Sequence, residues 1–255
     1  MSDVFFRSLL ETPMQPLIGR IAIVTGAGGG IGRAVSLMLA QSGARVVLAA
    51  RNQARLEKVG DEILSAGGEA LAVPTDVTRE EGLKTLVDRT LQAYGSIDYL
   101  INNAGWGKKS PVVKSQISDW DQTLSVNLRA PMILSKLVLP TLIDKRSGAI
   151  INIGSISGKQ GSANVAAYAA SKFGLVGFTE SLFEEVREHG IKVSVIHPGF
   201  VDTPLIPPNP QLNRSKMIRP DDVAHAVLYV LKSSPACCPV EIIIRPQKTP
   251  FVQRG

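Results

Sequence analysis

The sequence predicts a single α/β domain, built as a doubly wound parallel sheet of seven strands with helices on both faces. Its 255 residues suit one domain of this type. Apolar, β-rich runs alternate with amphipathic stretches from one end of the chain to the other. The apolar runs are nearly continuous, as expected of strands buried on both faces, and their regular alternation with helices is typical of a doubly wound fold.

The predicted strands are short apolar segments that end in glycine, proline or polar residues. In chain order they are RIAIVTG (20–26), ARVVLAAR (44–51), EALAVPTDV (69–77), IDYLINNAG (97–105), GAIINIGS (148–155), IKVSVIHPG (191–199) and VEIIIRP (240–246). The stretches between them predict helices, among them 30–42, 53–66, 79–94, 118–143 and 164–189. Residues 19–246 should therefore form one domain, with an arm (1–18) before it and a tail (247–255) after it.

The arm carries four large apolar side chains, Phe5, Phe6, Leu9 and Leu10, which we expect to dock on the body of the protein or on a partner subunit. No run of about 18 apolar residues predicts a membrane span, and we expect no membrane partner. The chain has two cysteines and they are adjacent, so no disulfide framework is predicted and a reducing, cytoplasmic location is expected.

The net charge of +6 raises the question of nucleic-acid binding. The basic residues are spread along the chain, and the densest group, Arg214, Lys216 and Arg219, sits in a proline-containing loop. We predict no nucleic-acid partner, because an anionic small ligand explains the surplus equally well. The histidines are scattered and show no ligand spacing with the cysteines, so no metal site is predicted.

The first predicted strand runs directly into a glycine-rich turn, TGAGGGIGRAV. Gly26, Gly30 and Gly32 lie where a strand passes into a helix, and the missing side chains let the backbone approach a pyrophosphate. The helix that begins near Gly30 offers free N–H groups and its positive dipole end to the anion. This context predicts a dinucleotide site in a Rossmann-type domain.

The second strand indicates which dinucleotide is bound. A chain built for NAD usually carries Asp or Glu about 20 residues past the glycines, to bind the ribose 2′-OH. Here Arg51 stands in that place, and no carboxylate follows until Glu57. A guanidinium favours the 2′-phosphate of NADP, so we predict NADP (NADPH) as cofactor; a solvated arginine at a strand end is the alternative.

Tyr168 and Lys172 are four positions apart in AAYAASKFGL, so they share one helix face. A cation close to a phenol stabilises the phenolate and lowers the phenol's pKa, which would let Tyr168 exchange a proton near neutral pH. Taken alone, the pair is more simply a surface tyrosine beside a solvated lysine.

Several motifs decide between these readings because they occur in a set order. After TGAGGGIG come Asp76, NNAG (102–105), SVNL with Asn127, NIGSISG with Ser155, the Tyr168–Lys172 pair and HPGFVDTP (197–204). From about residue 19 to residue 245 the chain resembles the short-chain dehydrogenase/reductase family, of the NADP-dependent, 3-oxoacyl reductase-like kind. Tyr168 follows Ser155 by thirteen residues, as the family pattern expects.

The resemblance implies four catalytic roles. Tyr168 would be the general acid that protonates a carbonyl oxygen, and Lys172 would lower its pKa and bind the nicotinamide ribose. Ser155 would donate a hydrogen bond to the substrate oxygen, and Asn127 would hold a water that links Lys172 to the proton supply. The alternatives without a catalytic role are that Ser155 is a turn residue at the end of a strand and that Asn127 is an ordinary polar residue of a helix.

The resemblance also implies a cofactor site along the carboxyl ends of the strands. Asp76 and Val77 would flank the adenine, Asn103 and Gly105 the adenosine ribose, and Val201 and Thr203 the carboxamide. The complete predicted set is Gly26, Gly28, Gly29, Ile31, Arg51, Asn52, Asp76, Val77, Asn103, Gly105, Tyr168, Lys172, Pro198, Gly199, Val201 and Thr203.

Two positions depart from the family pattern. Gly29 stands where many NADP-using relatives have a basic residue, which leaves Arg51 as the main predicted ligand of the 2′-phosphate. The last strand leads into EIIIRPQKTPFVQRG rather than a short Asp-Gly-Gly tail, which puts the usual C-terminal subunit contact in doubt. By resemblance the helices at about 118–143 and 164–189 pair across a two-fold axis, so a homodimer or homotetramer is expected.

The function implied is NADPH-dependent reduction of a carbonyl to an alcohol, on a 3-oxoacyl or small-ketone substrate. LIPPNPQLNRSKMIR (205–219) should form a flap over the substrate, and its three basic residues would suit an anionic substrate or an acyl-thioester. One alternative is a catalytically silent dinucleotide-binding regulator or scaffold. Another is an epimerase or dehydratase that uses the same Tyr-Lys pair, although such relatives usually carry an added substrate domain.

Overall fold

The computed structural model describes residues 17–206 and 208–252. The expected docking of Phe5, Phe6, Leu9 and Leu10 lies outside the described residues. The structure confirms the predicted fold class, because all seven strands form one parallel sheet.

The strands lie in the order β3-β2-β1-β4-β5-β6-β7. Their bounds are β1 Ile21–Thr25, β2 Arg45–Ala50, β3 Glu69–Pro74, β4 Tyr99–Asn102, β5 Gly148–Ile153, β6 Ile191–Pro198 and β7 Glu241–Ile244. The chain winds outwards from β1 to β3, then crosses to β4 and winds the other way. Between β1 and β4 the order therefore reverses, and in such sheets ligands bind in the crevice beyond the carboxyl ends of the strands at this point.

Helices cover both faces of the sheet. Their bounds are α1 Gly30–Gln41, α2 Gln53–Ser65, α3 Glu80–Tyr94, α4 Ile117–Leu124, α5 Ala130–Lys145, α6 Ala166–Val186 and α7 Pro220–Lys232. The single helix predicted at 118–143 runs continuously over Ile117–Lys145 and contains a π-helical turn, Ser125–Arg129, between α4 and α5. The helix predicted at 164–189 begins at Ala166, and its last residues form a separate 3₁₀ turn, Arg187–His189.

Two apolar layers hold these helices to the sheet. On one face α1, α2 and α7 pack through fully buried side chains such as Val35, Leu56 and Val227. On the other face α3, α5 and α6 pack through side chains that include Leu86 and Leu134. Burial of each such side chain stabilises the fold by roughly 1.5–3 kcal/mol. The two layers together hold the helices on the sheet, and the strand ends therefore keep fixed positions relative to one another.

The continuous helical stretch Ile117–Lys145 is long and apolar enough to cross a membrane by length and composition. Only 44% of its most apolar window is buried inside the protein. This property is weak evidence of a span, because core helices that pack on a sheet pass the same test.

A buried carboxylate, that of Asp98, ties the start of β4 to β1 and to the end of α5. Asp98 is 3% exposed, accepts the Ile21 amide at 2.8 Å and forms ion pairs with Arg20 and Lys145. Burial would raise the pKa of Asp98, but the hydrogen bonds and the charge of Lys145 outweigh it and hold that pKa below its usual range. The carboxylate therefore clamps the amino ends of β1 and β4 together.

Candidate active site

The turn after β1 can hold only glycine at two of its positions. Gly26 has a φ of +68°, and a Cβ added there would lie 2.8 Å from the side-chain nitrogen of Asn103. At Gly32, a Cβ would lie 2.2 Å from the carbonyl oxygen of Gly26, closer than any real contact. The turn and the first turn of α1 are thus packed backbone against backbone, as the close approach of a pyrophosphate requires.

The N-terminus of α1 has the properties of an anion site. The helix begins at Gly30, and its N-cap residue Gly29 supplies no side-chain cap. The first N–H groups of a helix have no partner within the helix, and the dipole there is positive. Nothing lies within 4 Å of a Cβ added at Gly29, so this side of the turn is open, and Gly28 and Ile31 flank it half-buried.

Asn103 holds the glycine turn against the end of β4. Its side-chain nitrogen donates to the carbonyl oxygen of Thr25 at 2.8 Å, and its backbone nitrogen donates to the Thr25 hydroxyl at 3.0 Å. The amide side chain is therefore committed to the turn. The predicted contact of Asn103 with the adenosine ribose stays a prediction, as does that of the exposed Gly105 beside it.

Arg51 is exposed at the carboxyl end of β2, next to the loop that follows β3. Asp76 in that loop accepts hydrogen bonds from the backbone and hydroxyl of Thr78, at 3.0 and 2.8 Å. Burial raises the pKa of Asp76, but the bonds from Thr78 and the charges of Arg51 and Arg79 outweigh it and leave that pKa lowered. The carboxylate is thus ionised, and Arg51 lies close enough to interact with it, while Val77 is buried.

The structure adds one arginine that the sequence analysis missed. A Cβ added at Gly28 would lie 3.2 Å from the Arg55 Cβ and 4.0 Å from its Cδ, so Arg55 runs along the glycine turn. Arg55 is exposed on the first turn of α2, where the Asn52 side chain accepts its backbone N–H at 3.0 Å. The spacing of Arg51 and Arg55 was visible in the sequence, but the course of Arg55 along the glycine turn was not.

Tyr168 and Lys172 lie on α6 and both face the end of β5. Lys172 is 4% exposed, and its ammonium donates to the carbonyl oxygen of Ile153 at 2.7 Å. The same nitrogen lies 5.8 Å from the centroid of the Tyr168 ring. Tyr168 and Lys172 are therefore not a surface tyrosine beside a solvated lysine, which was the simpler alternative from the sequence.

The pKa of Tyr168 differs in direction from the sequence-based expectation. Burial raises the pKa of the phenol above its ordinary value, and only the nearby Ser155 hydroxyl opposes this. The expected lowering by Lys172 is wrong for this arrangement, because the ammonium is directed to Ile153 instead of the phenol oxygen. Burial also lowers the pKa of Lys172, from 10.5 to about 8.

Ser155 lies directly beyond β5, where its hydroxyl accepts the Ser157 backbone N–H at 3.1 Å. This bond leaves the hydroxyl proton of Ser155 free for another acceptor. A Cβ added at Gly107 would lie 2.8 Å from the Tyr168 ring. The ring thus packs closely on Gly107, and its hydroxyl lies near Ser155, which opposes the rise of its pKa.

Asn127 lies in the π-helical turn and is fully buried. Its side chain exchanges two hydrogen bonds of 2.8 Å with the backbone of Trp106 and donates a third, of 3.1 Å, to the Ser171 hydroxyl. Both amide hydrogens are therefore in use. A π-turn often marks a functional site, and here it turns Asn127 towards the loop after β4. The predicted role of Asn127 in holding a water stays a prediction.

The segment after β6 returns over the site. Gly199 donates to the carbonyl oxygen of Ile244 at 2.8 Å, so Pro198 and Gly199 lie at the junction of β6 and β7. Val201 and Thr203 are buried, and the Thr203 methyl group would lie 3.1 Å from a Cβ at Gly30. Thr203 thus reaches the amino end of α1 across the crevice.

The basic residues of the flap are not all available to a substrate. Arg214 donates to Asp202 at 2.7 Å and to the carbonyl oxygens of Ile206 and Thr203, both at 3.1 Å. Arg219 pairs with Asp222 at the start of α7. Of the three charges that suggested an anionic substrate, that of Arg214 therefore stabilises the flap itself, whereas the Arg219 side chain is 74% exposed.

The tail folds back onto the flap. The Phe251 ring meets Phe200 edge-on, with 5.2 Å between the ring centroids. The backbone N–H of Asn213 donates to the carbonyl oxygen of Pro250 at 2.7 Å, and Val252 donates to Gln211 at 2.9 Å. The tail segment 250–252 thus holds the flap from outside.

Within residues 17–206 and 208–252, no three His, Cys, Asp or Glu side chains gather as a metal site. The sites named above instead combine a glycine turn at a helix N-terminus with a tyrosine, a buried lysine and a serine.

A family model described as short chain dehydrogenase matches residues 20–211. The chain belongs to this family. The match covers most of the sheet and all four predicted catalytic positions of this short-chain dehydrogenase, and it confirms the resemblance stated from the motifs.

Individual relatives agree with the family. The chain is 38% identical over 233 residues to an uncharacterized oxidoreductase of Staphylococcus aureus strain MRSA252, across 91% of this chain and 100% of that protein. It is 32% identical over 223 residues to the 3-oxoacyl-(acyl-carrier-protein) reductase FabG of Thermotoga maritima, across 84% of this chain and 91% of that protein.

Solved structures show the same fold. A metagenomic short-chain oxidoreductase in complex with NADP superposes with a TM-score of 0.81 and 36% identity, across 92% of this chain and 100% of that one. A short-chain type dehydrogenase/reductase from Mycobacterium marinum superposes with a TM-score of 0.83 and 29% identity, across 90% and 95%. The enzyme class predicted from the sequence, an oxidoreductase of this family, is confirmed.

Proposed function

We propose that this short-chain dehydrogenase uses NADPH to reduce a carbonyl group to an alcohol, on a 3-oxoacyl or small-ketone substrate. The observation that carries the proposal is the placement of Tyr168, Lys172 and Ser155 around the end of β5, at the same sheet edge as the glycine turn. The NADP in the metagenomic relative and the activity named for the Thermotoga maritima relative support it.

The residues present fit a dinucleotide phosphate. The turn at Gly26 and Gly32 is tight, the N-terminus of α1 has no side-chain cap, and Arg51 and Arg55 stand exposed on either side of the loop that leads into α2. Two guanidinium groups suit a 2′-phosphate, which a guanidinium binds in bidentate fashion. Arg55 takes the place of the basic residue that Gly29 lacks.

When bound, NADPH supplies a hydride to the substrate's carbonyl carbon. Tyr168 donates its phenol proton to the carbonyl oxygen as negative charge develops there, so that hydride and proton together give the alcohol. The Ser155 hydroxyl donates a hydrogen bond to the same oxygen and holds it within reach of the phenol. The Lys172 ammonium would bind the nicotinamide ribose.

The raised pKa of Tyr168 suits a proton donor, because the phenol stays protonated at neutral pH. Its return to the phenol form after each turnover needs a proton source. Lys172 lies one helical turn away with a pKa of about 8, so it can donate and recover a proton near neutral pH. Asn127 donates a hydrogen bond of 3.1 Å to Ser171, the residue before Lys172 on α6.

We propose a homodimer or homotetramer in the cytoplasm. Large apolar side chains remain exposed on the helices named for the two-fold contact, with exposed fractions of 40% at Leu124, 43% at Met132 and 47% at Phe173. Light scattering at micromolar concentration should give at least twice the mass of one chain, and a monomer would contradict this part of the proposal.

The experiment is to incubate the protein with NADPH and a panel split between acyl-thioesters and neutral ketones, while following NADPH absorbance. Tyr168→Phe serves as the matched control, because it removes only the acidic hydroxyl. A reductase is supported if the unmodified protein consumes NADPH with a substrate of the panel and Tyr168→Phe does not. Binding of NADPH without consumption on any substrate would favour a silent regulator, and a product of unchanged oxidation state would favour an epimerase or dehydratase.

A further inference from the structure

His197 is a fully buried histidine beside Ser155 that the proposed mechanism does not use. It lies in β6, directly before Pro198. Its Nδ1 lies 2.8 Å from the backbone carbonyl oxygen of Ser155. A carbonyl oxygen can only accept, so Nδ1 must carry the proton and donate it. The contact therefore selects one tautomer of the ring.

The other ring nitrogen, Nε2, lies close to the Glu241 carboxylate but forms no hydrogen bond with it. Nε2 lies 3.0 Å from Glu241 Oε1 on β7, but within the described residues it has no hydrogen-bond partner of proper geometry. The same Glu241 oxygen lies 2.9 Å from the Lys159 ammonium, which follows the Ser155 turn. In the Nδ1–H tautomer Nε2 bears a lone pair and donates nothing to Glu241, so Lys159 is the cation that pairs with this carboxylate oxygen.

The charged groups around the ring act in opposite directions. Burial lowers the pKa of His197 first, the Ser155 carbonyl and Glu241 raise it, and Lys159 and Lys172 lower it again; the pKa is lowered overall. No charged group of β5 is among these neighbours. The ring is accordingly neutral at neutral pH, which agrees with the tautomer that the Ser155 contact requires.

The ring also supports the backbone that leads to the serine. A Cβ added at Gly154 would lie 2.8 Å from His197 Nδ1 and 3.0 Å from its Cε1. The Gly154 backbone nitrogen donates to the Ile196 carbonyl oxygen at 2.7 Å. Residues 154 and 155 are thus held to β6 by one backbone bond and by the imidazole, immediately before the Ser155 hydroxyl.

We infer that His197 is a positioning residue, whose neutral imidazole holds the Ser155 backbone and so places the serine hydroxyl for the substrate oxygen, with Glu241 and Lys159 as its outer partners. The inference rests on the proposed function. A displacement of about 1 Å in a catalytic group can lower turnover about 100-fold, so the effect should appear in kcat and leave cofactor binding unchanged.

The test compares His197→Leu with His197→Asn in the full-length protein. Leucine fills the site without a donor, whereas the asparagine amide nitrogen takes the place of Nδ1. We expect His197→Leu to lower kcat at least ~10-fold with an unchanged NADPH Kd, and His197→Asn to recover most of that loss. His225, whose Nδ1 also lies 2.8 Å from a backbone carbonyl but on the exposed side of α7, provides the control His225→Leu.

A kcat for His197→Leu no lower than that of His225→Leu would overturn the inference, as would equal loss in the leucine and asparagine variants. An unmodified protein that reduces no substrate would instead contradict the proposed function. Nitrogen NMR of labelled histidine in the unmodified protein needs neither a variant nor a substrate. It should show the Nδ1–H tautomer of His197 at neutral pH, and the Nε2–H tautomer would overturn the inference.

Discussion

The Lys172 ammonium lies 2.7 Å from the carbonyl oxygen of Ile153, two residues before Ser155. One strand end therefore holds both the lysine and the serine. Because Lys172 is buried and hydrogen-bonded to this backbone, its position relative to Tyr168 depends on β5 as well as on helical spacing. A shift of β5 would move two of the four proposed catalytic groups at once.

Replacing Tyr168 by phenylalanine should lower turnover by at least ~100-fold, the lower end of what a positioned acid contributes. The ring keeps its packing against Gly107, and NADPH affinity should be nearly unchanged because the glycine turn is not altered. Lys172→Met should reduce both turnover and NADPH affinity. Stopped-flow hydride transfer and cofactor titration measure the two effects, and normal turnover in Tyr168→Phe would exclude the proposed acid.

The pKa of Lys172 predicts a loss of activity in alkaline solution. The proposal needs the ammonium in its charged form, and the charge is lost as pH rises through about 8. The pH dependence of kcat/KM for NADPH reports groups of the free enzyme, so it should fall with an apparent pKa near that value. A profile that stays flat up to pH ~10 would show that the lysine charge is not required.

The same pKa predicts how stability changes with pH. Lys172 has a pKa of about 8 in the folded protein and 10.5 as its ordinary value, so between these two values the unfolded chain binds more protons. The free energy of unfolding of the unmodified protein should therefore rise relative to Lys172→Met across this window, by about 3 kcal/mol. Urea unfolding of both proteins at several pH values checks the sign; a constant difference would contradict it.

Cofactor preference should depend on Arg51 and Arg55. The unmodified protein should bind NADPH at least ~10-fold more tightly than NADH, a difference of about 1.4 kcal/mol. Arg51→Asp should reverse that order, and Arg55→Ala should weaken NADPH binding with little effect on NADH. Arg89→Asp makes the same charge change on the exposed face of α3 and is the control. Equal affinities for both cofactors in the unmodified protein would exclude the predicted preference.

Gly32→Ala should distort the glycine turn, because its new Cβ would lie 2.2 Å from the Gly26 carbonyl oxygen. Forced displacement of packed backbone destabilises a fold by typically about 1–3 kcal/mol, and NADPH affinity should fall as well. Gly177→Ala, in α6, is the matched control, because nothing lies within 4 Å of its added Cβ. Chemical unfolding and cofactor titration measure both effects, and equal behaviour of the two variants would contradict the prediction.

The sequence by itself determined the family, the order of strands and helices, and the sheet edge at which the polar residues collect. These features depend on local patterns: apolar runs of strand length, glycines at a strand-to-helix turn, and motifs in a set order. For the same reason the predicted fold class, the family and the oxidoreductase class are confirmed, whereas the individual catalytic roles remain predictions.

Only the tertiary structure decided how those residues are used. Tyr168 and Lys172 share a helix face as predicted, yet burial raises the pKa of Tyr168 and lowers that of Lys172, in directions that spacing does not show. Asn127 is placed by a local irregularity of its helix, the π-turn. Two other contacts, of Arg55 with Gly28 and of His197 with Ser155, join residues that are far apart in the chain. Such contacts arise from packing between elements, because a side chain takes the partner that the folded backbone brings within hydrogen-bond distance.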